Sequence, residues 1–107
     1  MSETIDITSV DFEEKILGES RPALVDFYGR TCGPCRLLVP TLKALAKANA
    51  DKAIVAKVEV ESNMDLAAKY DVSVMPTLIL FKNGEPVAKL VGVQKQSKLQ
   101  ELIDANL

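Results

Sequence analysis

The apolar positions of the chain change their spacing several times, and each change marks an element. Thr4 to Ile7 reads as a short strand. Thr8-Ser9-Val10-Asp11 has the form of a capping box and predicts a helix with Phe12, Ile16 and Leu17 on one face. Gly18 to Pro22 interrupts the pattern. Ala23 to Tyr28 is almost continuously apolar, as expected of a strand buried on both faces of an α/β sheet, yet Asp26 lies at its middle. A helical pattern follows Cys32 and runs through Leu37, Leu38, Leu42 and Leu45 to about Ala48, with Pro40 in its interior predicting a kink. Ile54 to Val60 alternates its largest apolar residues with Lys57 and Glu59, a strand that sets Lys57 towards one sheet face. Ser62 to Tyr70 predicts a short capped helix.

Val72 to Pro76 leads into a strand from Thr77 to Lys82, and Asn83-Gly84 is a strong hairpin signal that makes Pro86 to Val91 its antiparallel partner. Pro86 has no N–H for a ladder, which suits a sheet edge. Gly92 ends that strand. Ser97-Lys98-Leu99-Gln100 reads as a second capping box, opening a last helix with Leu99, Leu102 and Ile103 on its apolar face. The order βαβαβαββα joins a parallel start to an antiparallel hairpin, with helices for both faces of the sheet. At 107 residues the chain reads as one domain spanning 1–107, with no repeat or linker.

A net charge of −2 without a basic stripe argues against nucleic acid or an anionic membrane as partner. No segment has the length and apolarity of a membrane span, and Met1 to Asp6 lacks a signal-peptide pattern. Both cysteines lie in Thr31-Cys32-Gly33-Pro34-Cys35, where the buried strand gives way to the helix. Thiols at i and i+3 on a first helical turn are near enough to form a disulfide and open it without refolding. Cys32, at the helix N-terminus, is the expected nucleophile, because unpaired N–H groups and the positive end of the dipole favour its thiolate. Cys35 is the expected resolving thiol. Gly33 is expected to allow a tight turn beside the sulfur, and Pro34 to preset the helical φ while withholding one donor from the thiolate. A less stabilised reduced form gives up electrons more readily, which favours a reductant over an oxidant. With no histidine and no third cysteine, a zinc site would have to be shared between chains or completed by carboxylates, and no metal or cofactor is expected. An isolated pair at this spacing fits a reducing cytoplasm.

Val25-Asp26-Phe27, Cys32-Gly33-Pro34-Cys35, Ala56-Lys57-Val58, Met75-Pro76-Thr77-Leu78, Phe81-Lys82-Asn83-Gly84 and Val91-Gly92 together resemble the thioredoxin family, and the resemblance covers essentially the whole chain. It implies a thioredoxin fold, a five-stranded mixed central sheet flanked by four helices. It also implies a protein dithiol-disulfide oxidoreductase that takes part in electron transport and redox homeostasis, reduces disulfides of partner proteins, and is recharged by a thioredoxin reductase. A monomer is the expected state. The resemblance further implies that Asp26 exchanges a proton with Cys35, that Lys57 modulates it, and that Pro76 is cis and faces the redox pair. The Met75 backbone would then pair with an extended substrate segment, and Gly92 would line the same groove.

The chain departs from the family pattern beside the first cysteine. Thr31 stands where the family usually has tryptophan, Tyr28 keeps an aromatic where the family commonly has tryptophan, Gly29-Arg30 is unusual between them, and Val74 replaces what is often a small residue. These changes bear on partner choice, with Thr31 placed among the substrate-binding positions. A second class of function is a non-catalytic binding or scaffold module. The intact thiol pair, together with Asp26, Lys57 and Pro76, favours catalysis.

Overall fold

A computed structural model describes residues 3–107. Five strands form one sheet: β1 (Ile5–Asp6), β2 (Ala23–Tyr28), β3 (Ile54–Glu59), β4 (Thr77–Lys82) and β5 (Glu85–Val91), in the spatial order β1-β3-β2-β4-β5. β1, β3 and β2 run parallel, while β4 pairs antiparallel with β2 and β5 with β4. Three α-helices, α1 (Gly33–Ala48), α2 (Met64–Lys69) and α3 (Gln96–Asp104), join a π-helical segment, Glu13–Leu17, to make the four helices; Val60–Ser62 adds a single 3-10 turn. This is the five-stranded mixed α/β architecture expected from the sequence.

β2 owes its apolar run to its place at the centre of the sheet. Its odd positions, with Phe12, Ile16, Leu66, Ile79 and Phe81, form a core under the π-helical segment and α2. Leu24 points the other way, into a second core with Leu38, Leu42 and Leu45 of α1 and Leu99 and Ile103 of α3. Strand alternation therefore places Asp26 on the α1 side, beside Lys57 of β3, its register partner. The hairpin forms as predicted: Asn83 and Gly84 take φ of 54° and 79°, the left-handed pair that a two-residue turn requires. β5 is an edge strand, and Pro86 lies exposed on it beside a register shift at Leu80/Phe81.

Helix starts depart from the expectations. Asp11 does accept from the Thr8 amide (2.8 Å), but Thr8 Oγ1 accepts from Val10 N (3.3 Å), and the segment that follows winds as a π-helix. Ser62 caps nothing: its hydroxyl bonds Glu59, and α2 starts after Asn63, whose side chain is buried between Ser9 and the Glu59 carbonyl. α3 starts at Gln96, one residue before the expected cap Ser97, and Gln100 pairs with Asn49 instead of reaching back to its own N-terminus. Leu37, counted with the apolar run of α1, is exposed. The helix continues as one element through Pro40.

Candidate active site

Cys32 is the N-cap of α1, with extended backbone, and Pro34 occupies the first turn as its lack of an N–H allows. The two cysteines are joined in a disulfide with Cα atoms 5.3 Å apart. They differ in access. Cys35 is 4% exposed against the core, whereas Cys32 is only half-buried. The Cys35 amide donates to Cys32 Sγ (3.2 Å), the capping bond that a thiolate at this place would strengthen. Gly33 corrects an expectation: its φ is not positive, and a Cβ there would meet nothing within 4 Å. No tight turn requires glycine at this position; its effect is to leave the surface beside the sulfurs open.

The Met75-Pro76 peptide is cis, and the Met75 carbonyl oxygen lies 3.6 Å from Cys32 Sγ. Gly92, with φ of 90°, donates its amide to the Pro76 carbonyl (2.9 Å), so the β5 end and the proline loop are tied together beside the redox pair. This φ is one that other residues rarely adopt, which accounts for glycine there. Exposed Thr31, Val74, Val91 and Val93 surround this edge. The structure thus brings together Thr31, Cys32, Cys35, Met75, Pro76 and Gly92.

Asp26 and Lys57 approach the pair from below. Asp26 is buried, and among the described residues neither carboxyl oxygen has a hydrogen-bond partner. Burial of the charged form pushes its pKa up to about 7, with the Lys57 charge pulling it back. A bland structural role for Asp26 would need satisfied hydrogen bonds, and these are missing. A cleft of about 120 Å³ opens onto Asp26 between Cys35, Arg36, Lys57, Tyr28 and Arg30. The Lys57 ammonium lies over the Tyr28 ring, 4.7 Å from its centroid.

One cluster escapes the sequence reading. Arg30 pairs with Glu59 (Nε to Oε1, 3.0 Å), donates to Ser62 Oγ (2.8 Å), and offers its amide to the Glu61 carboxylate (3.2 Å). This network pins the loop just before Thr31 to the end of β3. The signal for it is weak: Gly29-Arg30 is atypical by resemblance, but only the parallel pairing of β2 with β3 brings Glu59 and Glu61 within reach.

A disulfide at a helix N-terminus, one sulfur open and one buried, beside a buried and unpartnered carboxyl, defines a thiol-disulfide oxidoreductase. The chain belongs to the thioredoxin family: the family model described as Thioredoxin matches residues 3–105. Curated relatives agree. The proteins named thioredoxin from Staphylococcus aureus strains Mu50 and NCTC 8325 are each 44% identical over 103 residues, 96% of this chain and 97% of theirs. No helix among the described residues is long and apolar enough to cross a membrane.

Proposed function

We propose that this chain, acting as a single-domain monomer, reduces disulfides in partner proteins with Cys32 as nucleophile and Cys35 as resolving thiol. The observation that carries the assignment is the asymmetry of the pair, Cys32 open and Cys35 4% exposed. In the reduced protein, the Cys32 thiolate attacks one sulfur of a substrate disulfide, forming a mixed disulfide and expelling the other sulfur as thiolate. Cys35 then gives its proton to Asp26, attacks Cys32 Sγ, and expels the second substrate thiolate. Two electrons pass to the substrate, and the internal disulfide is left behind. Asp26 suits the transfer because its carboxyl titrates near neutrality and shares a cleft with Cys35. Lys57 tunes that carboxyl, and Gly33 and Pro34 set the redox poise.

The groove formed by Thr31, the Met75 backbone, Pro76 and Gly92 receives the extended substrate segment. A thioredoxin reductase returns the electrons, which places the protein in cytoplasmic electron transport and redox homeostasis. In the test, Cys35→Ser accumulates a mixed disulfide with insulin on Cys32, because attack remains and resolution does not. Wild-type protein reduces insulin above the background of dithiothreitol alone. Turnover of Cys35→Ser at the wild-type rate would refute the two-thiol order, and no wild-type activity above background would refute the reductase reading.

A further inference from the structure

Lys57 stands between two carboxylates and pairs with neither. In the register of the sheet, Asp6 of β1 and Asp26 of β2 are its direct neighbours on either side. The ion pairs among the described residues nevertheless leave Lys57 out, and Asp26 keeps both oxygens unpartnered. A buried carboxylate next to an ammonium ordinarily closes into a hydrogen-bonded pair. Two residues beyond Asp26 along β2, on the same face of the strand, lies Tyr28. The Lys57 Nζ lies 4.7 Å from the centroid of Tyr28, within cation–π range.

We propose that Tyr28 is a positioning residue for the redox reaction: its ring holds the Lys57 ammonium off Asp26, so that the buried carboxyl stays unpaired and available to Cys35. The proposal rests on the reading of Asp26 as the proton carrier. The other polar groups facing the Asp26 cleft are Cys35 and Arg36 from α1 and Arg30 from the loop after β2. Arg30 is engaged with Glu59 and Ser62, Arg36 is exposed to solvent, and Cys35 does not titrate in the disulfide, which leaves Lys57 as the cation whose charge acts on the Asp26 carboxyl. Without the ring, the ammonium is free to close onto Asp26 and hold it ionised.

The test follows the Asp26 carboxyl carbon by NMR through a pH titration of the oxidised protein. Tyr28→Leu lowers the midpoint by one pH unit or more, while Tyr28→Phe, which keeps the ring, leaves it within about 0.3 of wild type. Removing the ring also admits water, which lowers the midpoint for a different reason. The same pair of titrations in a Lys57→Met background separates the two. If Tyr28 acts through Lys57, Tyr28→Leu there moves the midpoint by less than half as much. An equal fall in both backgrounds, or no fall in either, would overturn the proposal. A measurement on unmutated protein stands independently of folding of the variants: the Lys57 methylene protons next to Nζ resonate upfield through the ring current of Tyr28, and their appearance at ordinary shifts would overturn the proposal as well. No turnover enters these measurements, so their failure is distinct from a failure of Asp26 to carry protons in catalysis.

Discussion

Thr31 is the residue where this chain differs most consequentially from the family pattern. It is exposed and one position from Cys32, whose Sγ lies 3.6 Å from the Met75 carbonyl oxygen. A tryptophan there would offer a docking protein a flat apolar contact, and threonine offers little. If about 100 Å² of the difference is buried in a complex, about 25 cal/mol per Å² gives at most roughly 2 kcal/mol. Thr31→Trp is therefore expected to raise kcat/KM with a reductase suited to the tryptophan form by about three- to thirtyfold. The potential should move by less than about 30 mV, equivalent to about 1.4 kcal/mol, because Cys32, Gly33, Pro34 and Cys35 are untouched. An unchanged rate, or a larger shift in potential, would show that Thr31 has another job. At this scale the sequence speaks clearly where partners are close along the chain, as with Cys32 and Cys35. It is silent about Arg30 with Glu59 and Tyr28 with Lys57, because those contacts depend on the lateral register of two strands.

The elements carry the same lesson. The two central strands were legible because burial on both faces leaves a nearly unbroken apolar run; β2 and β4 match their expected bounds to the residue. Helix starts were less so, because a polar side chain that fits a cap fits other partners too. Gln100, read as half of a capping box, instead exchanges two 2.8 Å hydrogen bonds with Asn49 at the end of α1. Asn49 is fully buried and also donates to the Leu45 carbonyl (2.8 Å), so one side chain closes the C-terminus of α1 and ties it to α3. Asn49→Ala should cost about 1–3 kcal/mol in urea unfolding, the expected range for stripping partners from buried polar groups. Activity should persist, since Asn49 lies roughly 25 Å along the helix from Cys32 at 1.5 Å per residue. A loss below about 0.5 kcal/mol would mean that water replaces the amide at no cost.

For the molecule as a whole, the redox site is built at the expense of stability, and Asp26 measures by how much. Its carboxyl ordinarily titrates near 3.8 and in the fold near 7. Well below its ordinary value of 3.8 the group is protonated in both states and contributes no pH dependence. Between pH 4 and 7 the unfolded chain releases the proton that the native state keeps, so the native state binds more protons and stability falls as pH rises. Above about pH 7 both forms are ionised and the penalty is complete, roughly 4 kcal/mol at about 1.36 kcal/mol per pH unit. That is a large fraction of the 5–15 kcal/mol typical of a small domain. Asp26→Asn removes the titration, so the variant's advantage over the wild type should grow by roughly 4 kcal/mol between pH 4 and pH 8 in urea unfolding of the oxidised proteins. If Asp26 takes the Cys35 proton as proposed, the same substitution should slow resolution of the mixed disulfide between pH 6 and 8. Parallel stability curves for the two proteins would show that Asp26 is solvated in the native state. Parallel curves together with unchanged turnover would remove it from the mechanism.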